Sequence, residues 1–167
     1  MDHDQTVRKI LAGRTSTGTL RSRESNTVEF KQSFNKGSTA AYAKTMAAYA
    51  NNSGGYIIFG IQDSPRKIVG LKNDNFENLK QEVFTDVINS LFSPAIEWEM
   101  GTVILNEKKE DDNGVIVTEQ KKIGWIYAIE SEIKPVIAQK DNNSESITAG
   151  DVFYRYRARN GKIKPAE

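Results

Sequence analysis

Two stretches of the chain decide its fold: Glu24-Ser25-Asn26-Thr27-Val28-Glu29-Phe30-Lys31 and Asn51-Asn52-Ser53-Gly54-Gly55-Tyr56-Ile57-Ile58-Phe59-Gly60-Ile61-Gln62-Asp63. Apolar and charged residues alternate over 28–31, which is typical of a half-buried strand. Residues 56–61 are nearly all apolar, which is typical of a strand covered on both faces. Between the two strands, Ser38 or Thr39 predicts the start of a helix that runs to about Ala50. We therefore expect a strand–helix–strand unit.

Three acidic residues, Glu24, Glu29 and Asp63, lie in or beside these two strands. The helical crossover between the strands could bring their carboxylates together, and hard oxygen ligands of this kind suit Mg²⁺ or Mn²⁺. Lys31 shares a strand face with Glu29 and could stabilise the charge on a phosphate. A second interpretation stays open, in which Glu29 and Lys31 form a solvated strand face, Asp63 is a turn residue and Glu24 is a loop charge.

Near the C-terminus, residues 152–159 predict a final strand. Strand alternation would place Arg155, Arg157 and Arg159 on one face at intervals of about 7 Å. A row of guanidinium groups suits contact with a phosphate backbone. Alternatively, the row belongs to an edge strand that its charges protect from pairing.

The rest of the chain predicts one α+β domain with a mixed β-sheet and two main helices. The second main helix follows from an apolar stripe over 76–91, with Asp74 and Glu77 as a capping pair. Residues 1–20 predict an N-terminal extension with a short helix, and residues 14–23 a mobile linker. The domain itself is expected to span 21–167.

Composition excludes several classes of site. The chain of 167 residues has no cysteine and one histidine, His3, in a terminus that we expect to be frayed. Hydrolases built on a histidine, and zinc sites, are therefore not expected. Residues 13–19 have two glycines at phosphate-loop spacing but lack the Lys and Ser/Thr that should follow, so we expect no ATP binding. No apolar run is long enough to span a bilayer and no secretory signal is visible, so we expect a cytoplasmic protein without a membrane partner.

Charge is unevenly distributed, although the net charge is only +1. Residues 1–50 carry +4, residues 51–150 carry −6 and residues 151–167 carry +3. Nucleic-acid binding requires a local basic face and not a basic total. The basic ends are therefore compatible with a nucleic-acid partner.

Four motifs in the same order resemble the Schlafen AlbA-type domain over about residues 20–160. They are the strings 24–31, 47–63, Ile68-Val69-Gly70-Leu71 and Gly150-Asp151-Val152-Phe153-Tyr154-Arg155. The resemblance implies an α+β nucleic-acid-binding domain. It also implies that Glu24, Glu29 and Asp63 match the metal-binding triad with which nuclease members cut tRNA or other structured RNA. Other members with the same strings precede regulator domains and are assigned DNA binding.

The chain differs from animal members of this family, which have two related halves that form a basic clamp and also carry a zinc site. It has one copy and no cysteine. A homodimer would supply the second half of the clamp, whereas a monomer cut from a longer protein is the alternative.

Our leading hypothesis is a metal-dependent endoribonuclease. Glu24, Glu29 and Asp63 would hold Mg²⁺ or Mn²⁺, and Lys31 would contact the scissile phosphate. Five further residues would hold the RNA backbone: Lys36, Lys44, Arg155, Arg157 and Arg159. The alternatives are a non-catalytic DNA- or RNA-binding module of a transcriptional regulator, and an interaction domain without nucleic acid.

Overall fold

The computed structural model describes residues 2–163, which form three α-helices and ten β-strands. The helices are α1 (His3–Ile10), α2 (Thr39–Ala50) and α3 (Gln81–Leu91). The strands are β1 (Val28–Lys31), β2 (Gly55–Phe59), β3 (Ile61–Gln62), β4 (Lys67–Ile68), β5 (Phe92–Ser93), β6 (Trp98–Glu110), β7 (Ile116–Ala128), β8 (Ile137–Ala138), β9 (Phe153–Tyr156) and β10 (Arg159–Lys162).

The main sheet has four strands in the order β1-β2-β7-β6. Strands β1 and β2 are parallel, with Val28 opposite Tyr56 and Lys31 opposite Phe59, and α2 forms the crossover between them. The other pairings are antiparallel, so the sheet is mixed. The predicted α+β fold and the strand–helix–strand unit are confirmed.

The sheet separates two apolar cores, which explains why β2 is apolar throughout. Ile57 and Phe59 face the core under α2 and α3, whereas Tyr56 and Ile58 face the core under α1. Because strand side chains alternate between faces, a strand buried on both sides needs apolar residues at every position. Every residue of β2 is buried.

Helix α2 is anchored at its C-terminal end by the buried side chain of Asn51. Its amide donates to the carbonyl oxygens of Val136 and Phe153, and its oxygen accepts from the Val136 N–H at 2.7 Å. These contacts fix the start of β9 against α2. Asn51 therefore contributes to the placement of the residues that follow Phe153.

The apolar stripe over 76–91 forms a shorter helix than the sequence predicts. Asp74 and Glu77 do not cap it, because both carboxylates bind Lys122, at 2.8 and 2.6 Å. Helix α3 begins at Gln81. Phe76 lies in the turn before the helix, and its side chain is buried.

The N-terminal segment is packed against the sheet and is not the mobile linker or frayed terminus that we expected. Val7, Leu11 and Leu20 are fully or almost fully buried in the core under α1. The Leu20 N–H donates to the Arg66 carbonyl at 2.8 Å. His3 lies in α1 with its Nδ1 at 2.6 Å from the Tyr56 hydroxyl.

The C-terminal residues form a hairpin and not one strand. Strands β9 and β10 pair antiparallel, with Arg155 opposite Asn160 and Tyr156 opposite Arg159. Arg157 has φ 56, in the left-handed region, and reverses the chain there. The predicted row of three arginines on one strand face is therefore wrong. We call residues 153–162 the C-terminal hairpin.

Within residues 2–163, no helix combines the length and the apolar character that crossing a membrane would require.

We predict that Leu20→Ala lowers the free energy of unfolding by about 2–5 kcal/mol, because it leaves a cavity in a closed core. Urea denaturation followed by circular dichroism measures this change. The control is Ser16→Ala in the exposed part of the same segment, which should stay within about 0.5 kcal/mol of the parent. An equally small effect for Leu20→Ala would mean that this segment is not part of the core.

Candidate functional site

Two of the predicted acidic residues and Lys31 line one surface depression. The depression has a volume of about 250 Å³, and its lining includes Glu24, Lys31, Asp63 and Arg66. Asp63 follows β3, and its Oδ1 accepts the Ser64 N–H at 3.0 Å, which holds the carboxylate at the turn. The crossover thus places Asp63 beside the end of β1, whereas Glu29 is not among the residues that line the depression.

Glu29 is held away from solvent, with a side chain only 12% exposed. Its Oε1 lies 3.2 Å from Arg155 Nη1, and its Oε2 accepts from the Thr45 hydroxyl of α2 at 3.2 Å. Lys31 Nζ lies 3.8 Å from the same Oε2. Both carboxylate oxygens of Glu29 therefore already contact cationic or hydrogen-bonding groups. We call Glu24, Glu29 and Asp63 the acidic cluster.

Arg155 is almost fully buried, at 1% exposure, and its guanidinium donates four hydrogen bonds. Besides Glu29, it donates to the carbonyl oxygens of Ser25 at 3.0 Å and Val28 at 3.3 Å, and to Asn160 Oδ1 at 3.0 Å. Its Nη2 lies 3.9 Å from Glu24 Oε2. The expectation that Arg155 contacts phosphate from an exposed strand face does not agree with this burial.

The electrostatics of the cluster act most clearly on Glu24. Burial raises the pKa of Glu24 above its ordinary value, and the nearby charge of Glu29 raises it further. Arg155 and Lys31 oppose this rise in pKa, and Asp63 adds a smaller contribution to it. The three carboxylates therefore interact, and Glu24 retains a proton to higher pH than an isolated glutamate.

The predicted Mg²⁺ or Mn²⁺ site does not fit this arrangement. In the described part of the chain, no group of three or more His, Cys, Asp or Glu side chains is placed to hold a metal ion. The buried guanidinium already compensates the charge of Glu29, and its positive charge would repel a divalent cation at the same place.

The remaining predicted cations differ in their surroundings. Lys36 is exposed in the turn before α2, and Arg157 and Arg159 are exposed on the C-terminal hairpin. Lys44 is partly buried, because its Nζ donates to the Glu145 carbonyl at 2.8 Å and lies over the Phe153 ring. Lys44 is therefore less available to an external phosphate than the other three.

Sequence reasoning missed four residues that position the site. They are Thr45, Tyr49, Arg66 and Asn160. Tyr49 lies 5.4 Å from the Arg155 guanidinium, and the Asn160 amide donates to Thr45. One signal was available: Arg155 shares a strand face with the apolar Phe153, so that face was the buried one.

Comparison with known proteins identifies the family. The family described as "Schlafen, AlbA_2" matches residues 24–164. The chain belongs to the Schlafen AlbA_2 family. Its acidic cluster and its C-terminal hairpin both lie within the matched residues.

Two similar proteins are both longer than this chain. The "Uncharacterized ATP-binding protein UU034" of Ureaplasma parvum serovar 3 is 65% identical over 165 residues, which are 99% of this chain and 46% of that protein. The chain thus spans about half the length of the curated relative it matches. The crystal structure of the DIP2311 protein from Corynebacterium diphtheriae has a TM-score of 0.53 and 16% identity, covering 95% of this chain and 26% of that one. That second similarity shows the fold alone.

The name of the Ureaplasma protein corrects one expectation. That protein is called ATP-binding, which contradicts our inference of no ATP from the missing phosphate loop. The physical reason is that the loop is one solution among several, since arginines and backbone N–H groups in other folds also hold phosphates.

We predict strong coupling between Arg155 and Glu29. Arg155→Met should lower the free energy of unfolding by about 3–5 kcal/mol, because it leaves the Glu29 charge buried without its partner. In the Arg155→Met background, Glu29→Gln should lower the free energy of unfolding by less than it does in the parent. The difference between the two effects is the coupling energy, which should be about 0.5–3 kcal/mol in urea denaturation. The matched control is the exposed Arg157→Met, which should change stability by no more than about 0.5 kcal/mol. Additive effects of the two substitutions would contradict the coupling.

We also predict an effect of pH through Glu24. Because its pKa is raised on folding, the folded chain binds this proton more tightly than the unfolded chain. The tighter binding of this proton stabilises the folded chain fully at a pH below the ordinary glutamate pKa. This stabilisation is lost as the pH rises through the higher pKa that Glu24 has in the folded chain. Glu24→Gln should therefore stabilise the protein more at neutral pH than in acid, as measured by urea denaturation across pH.

The exposed Glu132→Gln, which removes a carboxylate outside the acidic cluster, serves as the matched control. A Glu24→Gln effect that is the same at every pH would show that folding does not perturb this carboxyl.

Proposed function

We propose that this chain is a nucleic-acid-binding module that acts on RNA, with tRNA as the first substrate to test. The observation that carries the proposal is the charge balance of the site. Lys31 and Arg155 compensate Glu29, Arg155 also lies 3.9 Å from Glu24, and Arg66 lines the same depression as Glu24 and Asp63. The exposed cations of the C-terminal hairpin, Arg157 and Arg159, are then a positive excess. Such an excess attracts a phosphate backbone, whereas an uncompensated acidic cluster would repel it.

We propose RNA cleavage as a second activity of the same site, because one depression brings Glu24, Lys31 and Asp63 together and burial raises the pKa of Glu24. RNA carries its own nucleophile, the 2′-hydroxyl beside each phosphate. In the proposed step Asp63 removes the 2′-hydroxyl proton, O2′ bonds to phosphorus and the P–O5′ bond breaks. Glu24 gives its proton to O5′, which leaves a 2′,3′-cyclic phosphate and a 5′-hydroxyl. Lys31 stabilises the negative charge on the phosphoryl oxygens.

ATP is a further candidate ligand, because the 65% identical Ureaplasma protein is named for it. A triphosphate would be attracted by the same exposed cations as an RNA backbone. ATP that displaces labelled RNA would place both ligands on one surface, whereas simultaneous binding would require two sites.

Binding is tested by fluorescence anisotropy with labelled tRNA over a range of salt concentrations. Each lost phosphate contact should lower the salt slope by about one, so replacing both Arg157 and Arg159 by alanine should lower it by about two. The control is Lys9→Ala, which removes a cation from the exposed side of α1, across the sheet from α2. Absence of tRNA binding by the parent at physiological salt would overturn the proposal. Tighter binding of duplex DNA would favour the regulator module instead.

Cleavage is tested on the same tRNA with Glu24→Gln and Asp63→Asn. Loss of product with retained binding would support the catalytic roles, and the ends of the product would identify the step. Parallel reactions contain a chelator or added Mn²⁺. If product forms only with added metal, the proposed cleavage step is overturned. If no product forms in any condition, cleavage is overturned and the proposal of a nucleic-acid-binding module stands. Light scattering of the same samples distinguishes a homodimer from a monomer, the two alternatives that the sequence leaves open.

A further inference from the structure

The outer face of the C-terminal hairpin combines two aromatic rings with a cation. Tyr154 and Tyr156 are two residues apart on β9 and share this face, with ring centroids 5.3 Å apart at 58°. Directly opposite residues of an antiparallel pair also share a face. Gly161 lies opposite Tyr154 and Arg159 lies opposite Tyr156, so Arg159 joins the two tyrosines.

The two rings are held differently. The Tyr154 hydroxyl donates to Asn52 Oδ1 at 2.8 Å, so its ring is fixed to the end of α2. Tyr156 lies over Gly161, where an added Cβ would come within 2.6 Å of the ring. Glycine at 161 therefore allows the ring to lie close against the hairpin. Tyr156 remains 44% exposed, so a large part of this aromatic residue faces solvent.

A broad cavity of about 710 Å³ adjoins these rings. Its lining consists of Asn26, Tyr154, Arg155, Tyr156, Arg157, Ala158 and Arg159. No acidic side chain occurs among these described lining residues, and two of the three arginines are exposed. The volume lies within the range of about 300–1,000 Å³ that is usual for small-molecule sites, which suits a nucleotide.

We propose that this face is a base-stacking subsite for unpaired nucleotides, with Tyr156 as the stacking ring and Arg157 and Arg159 as the phosphate contacts. The inference rests on the proposed nucleic-acid binding and adds a preference for single strands. Stacking on a side chain requires a base with a free face, and paired bases inside a duplex do not offer one. An aromatic ring beside cations is the combination that single-strand-binding surfaces use.

The inference predicts which strands bind. In fluorescence anisotropy, an unpaired RNA oligonucleotide should bind more tightly than a blunt-ended RNA duplex with the same total number of nucleotides. Tyr156→Ala should weaken binding of the unpaired RNA by about 5- to 150-fold, with little change for the paired RNA. Tyr156→Phe keeps the ring and should bind as the parent does.

A second readout separates stacking from charge. Tyr156→Ala should leave the salt slope of RNA binding unchanged, whereas Arg157→Ala should lower it by about one. Circular dichroism and thermal unfolding check that each variant is folded.

The outcomes separate this inference from the proposed function. If the parent binds neither RNA, nucleic-acid binding itself fails. If the parent binds RNA but Tyr156→Ala weakens neither form, or weakens both equally, the stacking subsite is overturned and nucleic-acid binding stands. A Tyr156→Phe variant as weak as Tyr156→Ala would also overturn stacking, because the ring would then not be the binding group.

Discussion

The buried contact between Arg155 and Glu29 is the interaction on which the rest of the site depends. One guanidinium joins the edge strand β1 to the C-terminal hairpin, through Glu29, two backbone carbonyls and Asn160. A buried charge is tolerated only when it is paired and hydrogen-bonded, and all of these acceptors lie where the hairpin meets β1. This contact adds to the hydrogen bonds that join Phe153, Tyr154 and Asn160 of the hairpin to α2 and the residues just after it.

The same contact changes the chemistry of the acidic cluster. Arg155 compensates the charge of Glu29 and lies 3.9 Å from Glu24, where it partly offsets the rise in the pKa of Glu24 that burial and Glu29 cause. The exposed arginines of the hairpin then give the neighbouring surface a positive excess. Fold and function are linked here, because the residue that closes the fold also sets the charge of the site.

Sequence patterns were reliable where burial followed a regular period. The apolar run 56–61 and the helix over 39–50 were predicted closely, because both elements are covered by other parts of the chain. The pattern failed at Arg155, where the arginine was assumed to face solvent although it shares a face with Phe153. It failed again at Leu20, because an isolated apolar residue between polar ones gives no periodic signal.

The sequence by itself determined the family, the α+β class and the strand–helix–strand unit that brings Glu24 and Asp63 to one depression. These follow from local periodicity and ordered motifs, which need no knowledge of distant contacts. Only the tertiary structure decided that Arg155 is the buried partner of Glu29 and that Tyr154 and Tyr156 lie in contact on the outer face of the hairpin. The reason is physical: Arg155 and Glu29 are 126 residues apart in the chain, and whether a charged side chain meets water or a partner depends on which distant segment covers it.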